Sequence, residues 1–502
     1  MASLAVLPFA VCYLRLFVFP ATPLLLWGDA PGFAAKGVRL LNGELPYRDF
    51  FEFLTPGTDL VYALLFRCFG VSQWMLHLVM AALAALAALW LTWCASRLVR
   101  GWFVFLPAVL LTGIVLCHSL DSTHHWFSTV ALMGAVWALF DSRSQPRVAA
   151  AGAFCGLAAS FTQTKGAAAI IALVAYLIWI SAREKGRTEL WWRRSLMLCA
   201  SAFVVFAIIN GPFILASGVR LWAWDVIVFP TRYFGSVSAN NSTGALAQFL
   251  GTTGSLKWIS FPFQYLVIPL TYIWFFVTLQ RTSHTPINQP EPDNQSDQSA
   301  QLVLLAVIGL AMLAAVAPAL SIRRISTVSP PAVLLLTWLL SRSGRARTAL
   351  ALGAVSTAVA LAQIAVIQRP PHRMLNLPVG RVAIPPKADY YDIYRWMAEN
   401  TKPGQWYFGL SVLELDLGLR NPTPIQGLGP GEYTRPEQVD SIVQGIERVK
   451  VPLIVLRPEM YIPIPSYHLP DHLQPFRDYL YLHYRKIESF PSGDEIWQRI
   501  DK

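Results

Sequence analysis

Residues Gln73 to Ser96 read QWMLHLVMAALAALAALWLTWCAS, without one Asp, Glu, Lys or Arg. A helix that crosses the hydrocarbon core of a bilayer takes about 20 mostly apolar residues, so this stretch reads as a membrane span. On its C-terminal side stand Arg97 and Arg100; on the other side the segment Trp27 to Ser72 carries Asp29, Glu44, Asp49, Glu52 and Asp59. Lys and Arg gather in the short loops on the cytoplasmic side of a membrane, so Arg97 and Arg100 point inward and the acidic loop faces outward.

Working outward, apolar windows recur at Leu4 to Leu26, Gly101 to Cys117, His125 to Phe140, Val148 to Thr164, Ala167 to Ala182 and Ser195 to Ala216. Phe261 to Gln280, Leu302 to Leu320, Ser329 to Leu340 and Thr348 to Gln368 complete the set, about eleven spans in all. The first window lacks a basic leader and a small-residue cleavage site, and is read as a retained span. Arg143 and Arg147, Arg183 through Arg194, Arg281, and Arg342 through Arg347 make every second loop basic, hence cytoplasmic. The alternate loops, Trp27 to Ser72, His118 to His124, Gln163 to Gly166, Ser217 to Ser260 and Ser321 to Val328, then face outside. An odd number of spans puts the two ends on opposite sides, so everything after Arg369 is extracytoplasmic. Arg15, inside the first window, stands out: a mid-membrane arginine costs roughly 2.5 to 3.5 kcal/mol unless it finds partners.

Composition agrees. With 55% hydrophobic and 14% charged residues, and a mean hydropathy of +0.45, the chain has more apolar surface than one water-soluble core can hide. The net charge of +11 falls before Arg369, where 24 basic residues face 13 acidic ones; the remainder holds 16 of each. A basic excess beside apolar spans serves anionic headgroups, and nucleic-acid binding is excluded as a function class. All six cysteines lie in or beside apolar runs, so neither a disulfide framework nor a cysteine metal site is signalled.

Thr282 to Ala300 is polar and rich in Pro, Gln and Asn, and reads as a disordered cytoplasmic linker. After Arg369 the long apolar runs stop. A helix near Asp389 to Asn400, a strand at Trp406 to Val412 and a helix at Pro436 to Val449 with an apolar face of Val439, Ile442, Val443, Ile446 and Val449 are expected. A buried strand at Val451 to Leu456, a helix at Leu473 to Tyr484, and a hairpin of Lys486 to Phe490 with Glu495 to Ile500 about Ser492-Gly493 follow. The expected fold class is thus a polytopic α-helical membrane protein, a transmembrane module at 1–368 with outer loop 27–72 and linker 282–300, followed by a small extracytoplasmic α/β domain at 369–502.

The outer loop has structure of its own. Phe33, Lys36, Leu40 and Leu41 recur at helical spacing and stop at Asn42-Gly43; a second short helix follows Thr55-Pro56, with Leu60, Leu64 and Leu65 opposing Asp59 and Arg67. Both are too short to span and are expected to lie flat at the interface, where a hydroxyl acceptor and a lipid headgroup meet. Asp29 before Pro31 reads equally as a helix N-cap. Pro46-Tyr47 reads as an interfacial anchor or as part of a pocket with Asp49. Asp121, His124 and His125 offer oxygen and imidazole groups for a divalent ion or an acceptor, although adjacent histidines do not readily share one ion. Glu414-x-Asp416 is not taken for a nucleotide-sugar motif, because no nucleotide-binding Gly-rich loop accompanies it.

One span, then Asp29, then Leu40-Leu41-Asn42-Gly43-Glu44-Leu45-Pro46-Tyr47-Arg48-Asp49-Phe50, Pro56-Gly57 and Phe69-Gly70 resemble the opening of the GT-C glycosyltransferases, in the branch of the protein O-mannosyltransferases and lipid A aminoarabinose transferases. Asp121 to Trp126, Gly152 to Gly166, Arg323-Arg324 before Pro330-Pro331, and Gly418 to Thr423 extend the likeness over most of the chain. Many members follow the first Asp with Glu, where this chain has Ala30. The resemblance implies an inverting transferase that takes a sugar from a polyprenyl-phosphate donor, with Asp29 as general base. Lys165, Arg324 and Arg323 would then hold the donor phosphate, and Tyr47, Asp49, Asp121, His124, His125 and Trp126 would line the substrate pocket. A divalent metal, Mg2+ or Mn2+, is a candidate cofactor with Asp29, Asp121 and His125 as candidate ligands. The implied partners are the lipid-linked donor, a lipid, glycan or protein acceptor, and membrane lipids; the implied setting is a bacterial inner membrane, with the C-terminal region in the periplasm. The competing readings are a lipid or polysaccharide transporter or flippase, and a non-catalytic subunit of the same fold.

Overall fold

A computed structural model describes residues 2–26, 28–183, 190–236, 256–283, 293–369, 371–458 and 472–500. Parts of three expected loops, residues 184–189, 237–255 and 284–292, lie outside the described residues.

A helix occupies each of the apolar windows read from the sequence. Among the described residues six are long and apolar enough to cross a membrane: Gln73–Leu98, Gln163–Arg183, Trp191–Ser217, Trp258–Arg281, Asp297–Ala319 and Ala346–Gln368. The protein is therefore a multi-pass membrane protein. The remaining windows form shorter helices, among them Leu106–Gly113, His124–Phe140, Gln145–Phe161 and Pro330–Arg342. Prolines start three of these at the first turn, where the missing N–H has no helical partner to lose. Two readings change. The first helix, Ala2–Leu16, ends well short of Leu26, and the chain turns back by pairing Phe17–Val18 with Thr22–Pro23. The polar stretch expected to be a disordered linker is helical from Asp293 onward, continuous with the apolar helix that follows.

By contacts the chain divides into two units. One gathers Met1–Arg15, Val79–Gly211 and Ser242–Val366. Small residues let its helices close up: a Cβ added at Gly152 or Gly156 would run into the backbone carbonyl of Leu198 or Ala202. Arg15 finds its partners here. Its guanidinium donates to the carbonyls of Thr112 and Leu116, each at 2.8 Å, where the helix Leu106–Gly113 runs out and its last carbonyls lack helical partners.

The other unit gathers Leu16–Leu78, Pro212–Asn241 and Ile367–Lys502. It contains the two short helices of the outer loop, Asp29–Leu41 and Gly57–Phe69. The chain after residue 370 adds a hairpin, Arg373–Leu377 with Gly380–Ile384, and the helices Tyr391–Asn400, Ser411–Leu417, Pro436–Val449 and Gln474–His483. It also adds an antiparallel sheet with Glu495–Arg499 between Leu453–Leu456 and Tyr484–Ser489. Trp406 to Val412 does not form the expected strand: it makes only isolated bridges, Trp406 to Arg420 and Phe408 to Ile454, before the helix Ser411–Leu417 begins. Phe33, Tyr62 and Phe66 of the loop helices share one core with Tyr394, Met397 and Leu413. The loop and the C-terminal segment therefore bury their apolar faces together, and Phe51 N–H donates to the Pro424 carbonyl at 2.8 Å.

Candidate active site

Asp29 opens the helix Asp29–Leu41. The cap is Gly28, whose φ of 134° favours glycine, and no side chain caps the helix, so the N-cap reading of Asp29 does not hold. Asp29 is exposed, in the first turn, where the N-terminal dipole favours a negative charge.

Two turns along the same helix, Lys36 forms an ion pair with Glu52. Glu52 also accepts the Leu54 N–H at 2.9 Å and is fully buried. Asp59 and Asp225 are buried too, each at no more than 2% exposure. This group orders its own protons. Burial works against the Lys36 charge, but Glu52 and Asp59 outweigh it and hold the ammonium above its ordinary value. Burial, reinforced by Glu52, pushes Asp59 well above the carboxylate range. Burial likewise pushes Asp225 up to about 8, although its carboxylate accepts the Glu52 N–H. Leu64 and Asp59 take opposite faces of their helix as the spacing implies, with Asp59 buried and Leu64 63% exposed.

Between these helices the loop tightens. Tyr47 sits at φ 68°, a left-handed conformation uncommon for a non-glycine residue, held by its N–H to the Phe50 carbonyl and its hydroxyl to the Leu54 carbonyl, both at 2.8 Å. Asp49 is committed to Arg48 and to the Leu45 N–H; the Arg48 hydrogen bond holds its carboxyl below the usual range. A cavity of about 830 Å3 opens beside Tyr47, between this loop, the segment from Ser217 to Val228, and the residues about Pro424 and Gln438. Asp225 lines it from a π-helical turn, Trp224–Val228, a distortion frequent at functional sites. Sequence reasoning missed Asp225, yet it left a signal: it is the only acidic residue between Glu189 and Glu291.

In the first unit, Asp121 and His124–His125 stand at the start of the helix His124–Phe140. The two imidazoles are 3.9 Å apart. Trp126 is buried and donates to the Ser119 carbonyl at 2.8 Å, a packing role. Lys165, expected as an accessible cation at a span end, is wholly buried, its ammonium donating to the His125 carbonyl and to the hydroxyls of Thr129 and Thr327 at 3.0 to 3.2 Å. Arg324, half-buried, lies within electrostatic reach of Lys165 and His125, and Arg323, exposed, within reach of His118. Among the described residues no three of His, Cys, Asp and Glu come together as a metal-ligand set. Glu414 and Asp416 are buried and hydrogen-bonded, Glu414 by Asn421 and Asp416 by Tyr394 and Gln73.

A many-helix membrane module, a structured acidic loop after the first helix and a C-terminal segment packed on that loop make up a fold that also occurs among solved structures. One solved structure it matches is ArnT from Cupriavidus metallidurans bound to undecaprenyl phosphate, with a TM-score of 0.58 and 13% identity over 99% of this chain and 97% of that one. At that identity the likeness is one of fold. A further match, the S. cerevisiae protein O-mannosyltransferase Pmt1-Pmt2 complex bound to the sugar donor, has a TM-score of 0.33 and 16% identity over 44% of this chain and 33% of that one, and carries no argument. No profile of a known protein family and no curated protein sequence matches the chain.

Proposed function

We propose that the protein is an inverting glycosyltransferase that moves a sugar from a polyprenyl-phosphate donor to a hydroxyl of a lipid, glycan or protein acceptor at the outer face of the membrane. The observation that carries this reading is Asp29: an exposed carboxylate with no hydrogen bond or ion pair among the described residues, on the first loop of a chain that matches ArnT over 99% of its length. The ArnT structure holds undecaprenyl phosphate, which supports a polyprenyl carrier.

In the proposed reaction the acceptor hydroxyl gives its proton to a carboxylate oxygen of Asp29 as its oxygen attacks the anomeric carbon. The bond from that carbon to the phosphate oxygen breaks, the electron pair leaves with the polyprenyl phosphate, and the configuration inverts. A positioned general base contributes about a hundred- to ten-thousandfold. Negative charge grows on the leaving phosphate, and Arg323 and Arg324 are the cations proposed to meet it, with Lys165 adding positive potential from behind. Tyr47, Asp49, Asp121, His124, His125 and Trp126 keep their proposed part in the substrate surroundings, as the resemblance implies. A divalent metal is proposed as a cofactor, although among the described residues no three of His, Cys, Asp and Glu come together to hold it. All eleven apolar windows are proposed to sit in the membrane, a bacterial inner membrane, with the loop and the C-terminal region in the periplasm, as the basic loops imply.

The test uses the purified protein in lipid nanodiscs with a panel of polyprenyl-phosphate hexoses, pentoses and aminopentoses, following release of polyprenyl phosphate by mass spectrometry. Acceptor-dependent release is expected. Movement of intact donor between leaflets of proteoliposomes, with no cleavage of any sugar–phosphate bond, would instead establish the transporter.

A further inference from the structure

The cavity beside Tyr47 has a wall whose chemistry is mixed in a particular way. Tyr47, Phe50, Phe51 and Trp224 give it flat apolar faces, and Phe51 and Trp224 meet edge-on with ring centroids 6.1 Å apart. Asp225, Glu437, Gln438 and Ser441 add oxygen and amide groups. Of its two arginines, Arg48 is paired with Asp49 at 2.7 Å, leaving Arg220 at the rim. A volume of about 830 Å3 lies within the range of roughly 300 to 1,000 Å3 typical of small-molecule sites.

Each ligand class meets this wall differently. A phosphate or other anion needs cations, but Arg48 is already paired with Asp49 and Glu437 opposes it. A bare lipid tail gains nothing from a buried carboxyl, which is costly to cover without a hydrogen bond. A polyhydroxylated ring suits both features: its C–H faces lie on aromatic rings, and its hydroxyls donate and accept in equal measure. Asp225 fits the second part well, since the Glu52 N–H fixes its side chain and burial pushes its carboxyl up to about 8, which favours the O–H form that donates as well as accepts.

We infer that this cavity is a carbohydrate-binding site, the acceptor subsite of the proposed transferase. The acceptor role rests on the proposed function; carbohydrate binding does not. Connection with Asp29 runs through Tyr433, which feels the Asp29 charge and packs on Phe229 at 5.3 Å, the ring that in turn meets Phe51 at 4.7 Å. The sugar has two possible sources, a free glycan or the head of a glycolipid. The segment forming one wall follows directly on the candidate span ending at Ser217, and it exposes Val219 and Ile227 by 65% and 50%, which places a lipid-borne sugar within reach.

The experiment is saturation-transfer NMR on the full chain in phosphatidylcholine nanodiscs, free of sugar-based detergent. One arm offers maltotetraose, chitotetraose and mannotetraose; the other offers glucosyl-diacylglycerol and lactosylceramide in the disc. Signal from a tetrasaccharide that falls at least tenfold in Trp224→Ala establishes the site with a soluble ligand. Signal only from a glycolipid headgroup, lost in the same variant, establishes it with a membrane-borne one. Ser441→Trp, which fills the cavity from its margin, gives the same loss should Trp224→Ala unfold. No specific sugar signal in either arm, or displacement of every sugar signal by phosphatidylglycerol, overturns the inference. Asp29→Asn is run in parallel: it is expected to keep sugar binding, so a failure of the transferase reading and a failure of this site give different results.

Discussion

Lys36 illustrates how a single charge organises this site. It pairs with the buried Glu52 while Asp59 and Asp225 lie buried nearby, so its removal strands a carboxylate in a low-dielectric interior. Breaking a buried pair from one side typically costs about 3 to 5 kcal/mol, whereas replacing both partners is often close to neutral. Lys36→Met is therefore expected to lower the melting temperature sharply, and Lys36→Met with Glu52→Gln to recover most of the loss, as read by thermal unfolding in nanodiscs. A double variant as unstable as the single one would show that the pair does not hold the loop. The acids of the loop were legible in the sequence. Their partners were not: the pairing of Lys36 with Glu52, and the arrival of Asp225 from a distant segment, depend on tertiary placement that local periodicity does not encode. Lys165 is the converse case, since a lysine at a span end looks accessible in sequence and proves to be sealed by Thr129, Thr327 and the His125 carbonyl.

The two short loop helices carry Asp29, Lys36 and the buried Asp59, and their close approach is set by one residue. A Cβ at Gly37 would lie 2.8 Å from Tyr62 Cβ and 3.0 Å from the Ala63 nitrogen, so the helices would have to separate. Overpacking of this kind costs about 1 to 3 kcal/mol. Gly37→Ala is expected to destabilise by that amount, while Leu64→Gln on the exposed face stays within about 0.5 kcal/mol; equal effects on the melting temperature would contradict this packing. Both helices were legible from spacing, and Asn42-Gly43 ended the first where expected, with Gly43 at φ 85°. The opposition of Leu64 to Asp59 was legible as well; the ionic neighbourhood that buries Asp59 was not, because its members come from other segments, and Leu64 and Phe69 are left exposed. Trp406 to Val412 failed as a strand for a related reason: its alternation reflects isolated contacts with Arg420 and Ile454, not a ladder.

At the scale of the whole molecule, buried carboxyls set the dependence of stability on pH. Burial raises Asp225 to about 8 and both Glu414 and Asp416 to about 7, from ordinary values near 4. The folded chain then binds more protons than the unfolded chain between about pH 4 and pH 8, so these groups make stability fall as pH rises through that window. Glu447 acts oppositely: Tyr479 and Arg499 hold it down to about 2, so its contribution is lost only as pH falls below the ordinary glutamate range. The melting temperature is expected to be higher at pH 5 than at pH 8, with Asp416→Asn narrowing the difference; a rise from pH 5 to pH 8 would contradict the assignment. The apolar windows, and the class of fold, were legible because a bilayer demands long unbroken runs. That the C-terminal segment shares a core with a loop more than three hundred residues earlier was not, because Tyr394 and Met397 meet Phe33 and Tyr62 only once the chain is folded. The central claim is that Asp29 takes the acceptor's proton, and the measurement that tests it most directly is the turnover of Asp29→Asn on a lipid-linked sugar donor, with thermal unfolding followed alongside. The substitution keeps size and polarity at an exposed position, so the melting temperature is predicted to stay near wild type while turnover falls about a hundred- to ten-thousandfold; near-wild-type turnover in the folded variant would contradict the claim and remove Asp29 from the chemistry.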